Sequence, residues 1–226
     1  MATVDKTMRY YPVHLDIQNR NCLVVGGGAV GTRKVVTLLE CGANVTVVSP
    51  VISEQLRDFA VSGLIKLKER VYQSGDLDGM FLVIGATDNE GLNRQISSDA
   101  DHLNTLCNIA DRPEICNFIL PSIVQRDDLV ITISTSGKSP ALAKKLRKTL
   151  EQQFGKEYGV FLKLMGALRK KLLSQSHQPE AHKHLFEKLI AADLIAMIQK
   201  GKTAEIDALL FEILGEGYNF RELLRP

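Results

Sequence analysis

The first half of the chain alternates short apolar runs with segments of helical periodicity. The apolar runs are Leu23–Val25, Val45–Val48, Leu64–Val71, Phe81–Ala86 and Thr105–Ala110. Helical patterns such as VGTRKVVTLLEC and LNRQISSDADHL lie between several of them. Strands that alternate with helices form parallel sheets covered on both faces. The pattern therefore predicts an α/β domain with a doubly wound parallel sheet.

The pattern changes after Ile115, where two apolar runs flank the polar segment QRDD. We interpret these runs as an antiparallel hairpin with a four-residue turn. Pro121 lies in the first run and cannot donate a ladder hydrogen bond, so that run is predicted to be an edge strand or a bulged strand. Because an apolar edge needs a cover, we expect the hairpin to pair with a second copy of the chain.

From Ser139 onward the chain has helical periodicity. Leu142, Leu146 and Leu150 recur every four residues, and further apolar helical patterns follow a polar break at Ser174–His184. These changes predict three parts: a domain at 1–116 that holds the doubly wound sheet, a hairpin and helix at 117–153 that include the expected dimerisation segment, and a small all-helical C-terminal domain at 154–226.

A glycine-rich turn connects the first predicted strand to the first helix. It reads GGGAVG and matches G-x-G-x-x-G, in which the first glycine permits the turn, the second admits a pyrophosphate and the third packs helix on strand. The free N–H groups of the helix start can bind the anion, although a glycine-rich turn without a ligand is the alternative. This Rossmann-like pattern predicts dinucleotide contacts at Gly26, Gly28, Ala29, Val30 and Gly31.

The acid that binds the ribose in many such folds is missing here. About 20 residues after the glycines, the chain has Val48-Ser49-Pro50-Val51 in its place. Ser49 can still form a hydrogen bond with a ribose hydroxyl, and no arginine lies beside it in the sequence to bind a 2′-phosphate. NAD is therefore slightly favoured over NADP.

Two loops, GATDNEG and CNIADRPEICN, follow the fourth and fifth predicted strands. They lie at the carboxyl edge of the sheet, where ligands of such folds bind. Asp111 in the second loop could accept a proton while a nicotinamide accepts a hydride. Aspartate is also a common turn former, so the residues alone leave both roles open.

The segment STSGKSPALAKKLRK places a hydroxyl-rich loop before a basic helix. Ser139 is the predicted N-cap, with Pro140 at the first helical position. The basic residues that crowd the helix are Lys144, Lys145, Arg147 and Lys148. They suit a ligand with several carboxylates, although a solvated basic face is the alternative. The predicted substrate-binding residues are Ser134, Thr135, Ser136, Gly137, Lys138 and Ser139.

Composition narrows the partners and the compartment. The net charge of +2 does not indicate nucleic-acid binding. The four cysteines form no CxxC pair, which is typical of reduced thiols in the cytoplasm. No run approaches the roughly 20 apolar residues of a membrane span, and the first residues do not read as a leader. His177, His182 and His184 lie near Glu180 without a cysteine companion, so the sequence assigns no metal contacts.

Taken together, these segments resemble a known family. YPVHLDIQNRNCLVVGGGAVGTRK, the GATDN loop and CNIADRPEICNFILPSIVQRDDLVITISTSGKSPALAKKLR are similar to the precorrin-2 dehydrogenase and sirohydrochlorin ferrochelatase family, the siroheme synthase module. The likeness runs from Tyr10 to Gln153 and reaches the helical tail only in general character. It implies a homodimer that oxidises precorrin-2, a tetrapyrrole with eight carboxylates, to sirohydrochlorin with NAD⁺.

The resemblance leaves the range of activities open. Some members also insert Fe²⁺ to give siroheme, whereas others are dehydrogenases only and leave chelation to another protein. A nucleotide-sensing regulatory module is a third hypothesis, but such a sensor has no evident use for the SGKSP segment. No methyltransferase domain follows the tail, so we expect uroporphyrinogen methylation to be performed by another protein.

The resemblance also implies roles for individual residues. It assigns Asp111 to both dehydrogenation and chelation, which favours the catalytic role over the turn role. Thr135 stands where some members have a serine reported to be phosphorylated, so that control is not predicted here. The cofactor contacts that it implies are Gly28, Ala29, Val30, Ser49, Pro50, Val51 and the neighbourhood of Thr87.

Overall fold

A computed structural model describes residues 9–175 and 182–225 of the chain. The chain forms two compact units, and the division falls between Leu120 and Pro121. The first unit holds a parallel sheet with helices, and the second holds a two-stranded hairpin and helices. The finer division into three parts, with boundaries after 116 and 153, stays a prediction.

The first unit is built on one five-stranded parallel sheet. Its strands lie in the order β3-β2-β1-β4-β5, and every neighbouring pair is parallel. The predicted doubly wound sheet is therefore confirmed. The strands are β1 Asn21–Gly27, β2 Asn44–Ile52, β3 Ile65–Lys68, β4 Leu82–Gly85 and β5 Leu106–Ile109.

Helices cover both faces of this sheet because alternate strand residues point to opposite sides. In β1, Cys22 and Val24 belong to one core cluster, whereas Leu23 and Val25 belong to the other. The first cluster packs against α1 and α2, and the second packs against α3. These helices are α1 Ala29–Glu40, α2 Glu54–Val61 and α3 Glu90–His102, with 3₁₀ turns at Ser74–Leu77 and Pro113–Ile115.

The second unit begins with the predicted hairpin, formed by β6 Ser122–Arg126 and β7 Leu129–Ile133. Its turn has two residues, so the expected four-residue turn is wrong. Gln125 pairs with Val130 and Arg126 pairs with Leu129, which leaves only the two aspartates unpaired. Asp127 adopts a left-handed φ of 51°, which aspartate tolerates better than most residues, so the tighter turn can form.

Helices make up the rest of the second unit. Leu164 and Leu168 of one helix pack with Leu189, Leu194 and Leu210 of three others in a common core. The predicted helical tail is therefore confirmed for the described residues. The helices are α4 Pro140–Gln153, α5 Glu157–Gln175, α6 Lys183–Ala191, α7 Leu194–Gln199, α8 Thr203–Leu214 and α9 Phe220–Leu223. No helix in residues 9–175 and 182–225 is both long and apolar enough to cross a membrane.

Candidate active site

The glycines of the first turn have different structural roles. Gly26 has a φ of 118°, and a Cβ there would overlap the carbonyl of Ala86. A Cβ on Gly31 would overlap the carbonyl oxygen of Gly26. At Gly28, by contrast, an added Cβ would meet no atom of the described residues within 4 Å. Gly26 and Gly31 are therefore required by packing, whereas Gly28 leaves open space.

Gly27 is constrained in a way that the glycine motif does not predict, since the motif allows any residue at this position. A Cβ on Gly27 would overlap the backbone of Val51 and Ile52 at the end of β2. The amide of Ser53 donates a hydrogen bond of 2.9 Å to the carbonyl of Gly27. The middle one of the three consecutive glycines therefore serves the close approach of β1 and β2.

The N-terminus of α1 offers free backbone donors. Gly28 is the N-cap, and no side chain within the described residues caps this helix. The first intrahelical bond is 2.9 Å long and joins the amide of Thr32 to the carbonyl of Gly28, so the amides of Ala29, Val30 and Gly31 precede the ladder. The helix dipole adds positive potential at the same place. Open space at Gly28 and uncapped amides fit a bound pyrophosphate.

The end of β2 presents mostly backbone and apolar surface at the same edge. The Ser49 side chain is buried, and its hydroxyl donates a 2.6 Å hydrogen bond to the carbonyl of Val51. Pro50 is exposed, and Val51 is 76% exposed. The ribose contact of Ser49 stays a prediction; because the Ser49 proton is donated to Val51, its oxygen would act as the acceptor of a ribose hydroxyl.

A reciprocal side-chain pair fixes the loop that follows β4. The hydroxyl of Thr87 donates to Oδ1 of Asn93 at 2.8 Å, and Nδ2 of Asn93 donates to the Thr87 carbonyl at 2.9 Å. Asn93 is buried in α3, whose N-cap is Asn89. Sequence reasoning missed Asn93 because a single asparagine in a helical pattern carries no signal of its partner.

Asp111 lies directly after β5 at the carboxyl edge of the sheet. It is exposed and has a φ of 61°, in the left-handed region. This conformation costs most residues other than glycine about 1–3 kcal/mol, and aspartate tolerates it better than they do, as at Asp127. On either side of it, the amide of Ala110 donates to the Gly85 carbonyl at 2.8 Å and the amide of Arg112 donates to the Ile109 carbonyl at 3.2 Å.

Lys34 on α1 is the charged neighbour that sequence reasoning did not single out. Burial lowers the pKa of Lys34 from its usual value, and the adjacent Arg33 lowers it further. The carboxylate of Asp111 opposes this lowering, so the Lys34 ammonium is within electrostatic range of Asp111. The available signal was the TRK sequence that follows the glycine turn.

The hydroxyl-rich loop before α4 lies in the second unit. The Ser139 hydroxyl accepts from the amide of Leu142 at 3.3 Å, which confirms the predicted N-cap. Thr135 Oγ1 accepts from the Ser139 amide, and Ser134 Oγ accepts from the Ser136 amide, each at 3.1 Å. These hydroxyls use their oxygens as acceptors in these bonds, so each keeps its own proton for donation to an anion. Ser136 and Gly137 are left-handed, and Lys138 is exposed.

The predicted residues thus fall into two groups. The carboxyl end of one sheet carries the glycine turn, Ser49–Val51, Thr87 and Asp111, and the second unit carries residues 134–139. Within residues 9–175 and 182–225, no group of three or more His, Cys, Asp or Glu could hold a metal ion. His177 and Glu180 of the histidine-rich segment lie outside the described residues.

Comparisons with known proteins agree with this division. Residues 13–122 match the family described as "Putative NAD(P)-binding", and residues 126–153 match "Sirohaem biosynthesis protein central". The siroheme synthase of Nitrosococcus oceani is 35% identical over 211 residues, which are 93% of this chain and 45% of that protein. The siroheme synthase of Nitrosospira multiformis is 36% identical over 207 residues, 90% of this chain and 44% of that protein.

A solved structure extends the likeness to the fold. The structure of "SirC, precorrin-2 dehydrogenase" matches with a TM-score of 0.75 at 27% sequence identity, and the match covers 90% of this chain and 98% of that one. The curated siroheme synthases are longer, and this chain spans less than half of their length.

The doubly wound sheet and its open glycine turn define an NAD(P)-binding protein. The second matched segment narrows this class further. The chain belongs to the siroheme synthase family, in the part that carries the NAD(P)-binding and central domains. The family resemblance predicted from the sequence is confirmed.

Proposed function

We propose that the protein is an NAD-dependent precorrin-2 dehydrogenase that forms sirohydrochlorin. The observation that carries this proposal is the left-handed Asp111 at the same sheet edge as an uncapped helix start and an open Gly28. An exposed carboxylate in a left-handed turn, at the same sheet edge as the predicted dinucleotide site, suits proton transfer coupled to hydride transfer. The name of the matched precorrin-2 dehydrogenase supports the same reaction.

The proposed reaction removes two electrons and two protons from precorrin-2. NAD⁺ supplies the hydride acceptor, so one proton leaves with both electrons as hydride. Asp111 accepts the remaining proton through its carboxylate and passes it to solvent, to which its side chain is exposed. The amides of Ala29 and Val30 would hold the pyrophosphate beside Gly28. The Lys34 ammonium lies within electrostatic range of Asp111, whose carboxylate opposes the lowering of the Lys34 pKa by burial.

We assign substrate carboxylates to the hydroxyl-rich loop of the second unit, residues 134–139. Its serine and threonine hydroxyls retain donor protons, and Lys138 adds a positive charge. Charge-assisted hydrogen bonds to carboxylates are about twice as strong as neutral ones, so donors of this kind suit a polycarboxylate. The lysines of α4 add a positive field, which raises the local concentration of an anionic substrate.

The proposal is tested by the absorbance of reduced nicotinamide when purified protein is mixed with precorrin-2 and NAD⁺. We expect formation of NADH in step with sirohydrochlorin. Asp111→Ala should reduce turnover at least about a hundredfold because general base catalysis contributes about 10²–10⁴-fold. NAD⁺ affinity, measured by fluorescence titration, serves as the control and should not change. Undiminished turnover of Asp111→Ala would remove its assigned role.

Insertion of Fe²⁺ into sirohydrochlorin is a second candidate activity. It is favoured by the match of 93% of this chain to a protein named siroheme synthase. In this activity Fe²⁺ is a substrate, and Asp111 would accept pyrrole protons as the ion enters. Protein incubated with sirohydrochlorin and Fe²⁺ without NAD⁺ should form siroheme faster than the spontaneous reaction. A rate equal to the spontaneous one would leave the dehydrogenase as the single activity.

We also propose that the protein is a homodimer. One face of the hairpin exposes Ile123 and Val130, and α4 exposes Leu142 and Leu146. Exposed apolar side chains next to the free edges of a two-stranded sheet favour pairing with another chain. Light scattering should give twice the chain mass of 25.0 kDa, and Val130→Lys should shift the mass toward the monomer. A monomeric wild-type protein would contradict this assembly.

The thiols support a reducing compartment, and we propose the cytoplasm. All four cysteines fall within the described residues and are free, and Cys22, Cys107 and Cys116 are buried. Free thiols are typical of proteins in reducing compartments, because disulfides form in oxidising ones. Fractionation of cells that express the tagged protein should recover it with cytoplasmic markers, and recovery with periplasmic markers would contradict this.

A further inference from the structure

The turn that carries Asp111 is bounded on both sides by one buried thiol. The Sγ atom of Cys116 accepts a hydrogen bond of 3.1 Å from the amide of Ile109, the last residue of β5. The same Sγ lies 3.1 Å from the carbonyl oxygen of Arg112 and 3.4 Å from that of Ile109. The thiol therefore bonds to the backbone immediately before and immediately after the dipeptide Ala110-Asp111.

The segment that carries Cys116 is anchored independently of its thiol. The side chain of Asn117 accepts from the Cys107 amide at 2.7 Å and donates to the Thr105 carbonyl at 2.9 Å. Asn108 donates to the Phe118 carbonyl at 3.1 Å. These bonds hold residues 117 and 118 along β5, so the position of Cys116 does not depend on the contacts that its sulfur makes.

The thiol can act as donor and acceptor at once. Burial raises the pKa of the Cys116 thiol, partly offset by the bond from Ile109, so the S–H proton is retained at neutral pH. The retained proton can be donated to the carbonyl of Arg112, the nearer of the two carbonyl oxygens, while the sulfur accepts from the Ile109 amide. A hydroxyl has a shorter bond to Cβ and reaches fewer of these partners, and a methyl group reaches none.

We propose that Cys116 is a positioning residue that holds the Asp111 turn in the geometry required for proton transfer. The inference rests on the catalytic role proposed for Asp111. Aspartate tolerates the left-handed conformation better than most residues, but proton transfer still requires that the turn hold its carboxylate in one geometry. The two-sided bonding by Cys116 supplies that constraint, together with the amide bonds of Ala110 and Arg112.

The test compares Cys116→Ala and Cys116→Ser with the wild-type protein in the precorrin-2 and NAD⁺ assay. We expect Cys116→Ala to lower kcat about ten- to a hundredfold, because a displacement of ~1 Å can cost that much in rate. KM for precorrin-2 and the NAD⁺ affinity should stay within about twofold, because misplacing a proton acceptor does not remove binding contacts. Cys116→Ser should recover part of the lost kcat, since its hydroxyl can still bond to one side of the turn.

Cys107→Ala is the matched control. Cys107 is a second buried thiol in the same core, and burial raises its pKa to about 12, so both thiols are neutral. Its truncation removes a similar volume and, among the described residues, no hydrogen bond to the Asp111 turn, so kcat should remain near the wild-type value. An equal fall in kcat in Cys107→Ala and Cys116→Ala would overturn the positioning role, because core packing would explain both.

The double variant separates this inference from the proposed function. In an Asp111→Ala background, Cys116→Ala should cause no further loss of turnover. Wild-type turnover in Asp111→Ala would refute the catalytic role itself, whereas an inactive Asp111→Ala with a fully active Cys116→Ala would refute only the positioning role. If Cys116→Ala does not fold, Cys116→Ser decides: an intermediate kcat at an unchanged Tm supports the inference, and a wild-type kcat overturns it.

Discussion

Two helices of this protein begin in loops that look alike in sequence but differ in structure. Both α1 and α4 follow a strand and a loop of small residues. At α1 the N-cap is Gly28, and within the described residues no side chain caps the helix. At α4 the Ser139 side chain caps the helix, and Pro140 removes one N–H donor. The N-terminus of α1 therefore offers backbone amides to a ligand, whereas the N-terminus of α4 offers side-chain hydroxyls.

The proposed function assigns a different kind of anion to each of these helix starts. A pyrophosphate can lie against free backbone amides only where side chains leave room, as they do at Gly28. The separate carboxylates of a tetrapyrrole suit side-chain donors such as the hydroxyls of Ser134 and Thr135 better than one cluster of backbone amides. The two units also differ in the burial of their ion pairs. Among the described residues, the Asp76 carboxylate of the first unit is buried in its ion pairs, whereas the ion pairs of the second unit are partly exposed.

The largest effect is expected for Gly31→Ala, which breaks the α1 start. The added Cβ would overlap the carbonyl of Gly26, so the turn and the helix cannot both keep their positions. We expect a loss of about 2–3 kcal/mol in the free energy of unfolding, typical of overpacking, together with loss of measurable NAD⁺ binding. Urea denaturation and fluorescence titration provide the two measurements. Retained affinity would mean that the amides of α1 are not the pyrophosphate site.

Asp76→Asn tests how much the buried ion pairs of Asp76 in the first unit contribute to stability. Hydrogen bonds from Arg70, and further bonds from Lys68 and the Gln73 amide, hold the pKa of Asp76 well below its usual value against the effect of burial. The stabilisation is therefore present above the unfolded-state pKa of about 3.9 and is lost as pH falls toward the lower folded-state value. Since the cations are partly exposed, we expect Asp76→Asn to cost about 2 kcal/mol at neutral pH, below the range for wholly buried pairs.

The measurement for Asp76 is the free energy of unfolding as a function of pH. The wild-type protein should lose stability more steeply than Asp76→Asn below about pH 4, so that the two curves converge in acid. Glu151→Gln, at a partly exposed pair with Arg147 in the second unit, is the control and should change the stability by less than about 1 kcal/mol. Parallel curves for Asp76→Asn and wild type would show that Asp76 does not carry this dependence.

Gly28→Ala should separate binding from folding at the α1 start. The added methyl group meets no described atom within 4 Å, so the unfolding free energy should change by less than about 1 kcal/mol. The same methyl group occupies the space needed by the pyrophosphate, and we expect NAD⁺ affinity to fall about tenfold, which is 1.4 kcal/mol. Isothermal titration gives the affinity. If Gly28→Ala keeps its NAD⁺ affinity while Gly31→Ala loses both stability and affinity, the dinucleotide does not bind against Gly28.

The smallest effect is expected at the α4 start. Ser139→Ala removes an N-cap, which typically costs about 1 kcal/mol, and removes one proposed donor to a substrate carboxylate. KM for precorrin-2 should rise a few-fold while NAD⁺ affinity stays constant. Ser139→Asp is the comparison variant, because it keeps a capping acceptor but repels carboxylates, so stability should return while KM rises further. A normal KM in Ser139→Asp would exclude Ser139 from substrate binding.

Local patterns predicted the parts of the fold that depend on neighbours in sequence. The alternation of apolar runs and helices predicted a doubly wound sheet, and Ser139-Pro140 predicted the start of α4. The hairpin turn was predicted too long because polar residues are found both in turns and at strand ends. Gln125 is polar yet pairs with Val130, and only the strand register could show this.

The candidate site was predicted less completely than the fold. The glycine pattern identified Gly28, and Asp111 was identified as a proton acceptor or a turn residue. The thiol of Cys116 and the amide of Asn93 were not identified, because each acts on a loop several residues away. A buried cysteine reads as an ordinary core residue until its hydrogen bonds are known.

The sequence by itself determined the class of fold, the glycine turn and the family, because periodicity and motif spacing are local properties. Only the tertiary structure decided which glycine leaves open space, that Asp111 is left-handed, and that one thiol bonds to both sides of its turn. The physical reason is that a hydrogen bond or a close approach depends on distances between segments, and those distances exist only after the strands have paired.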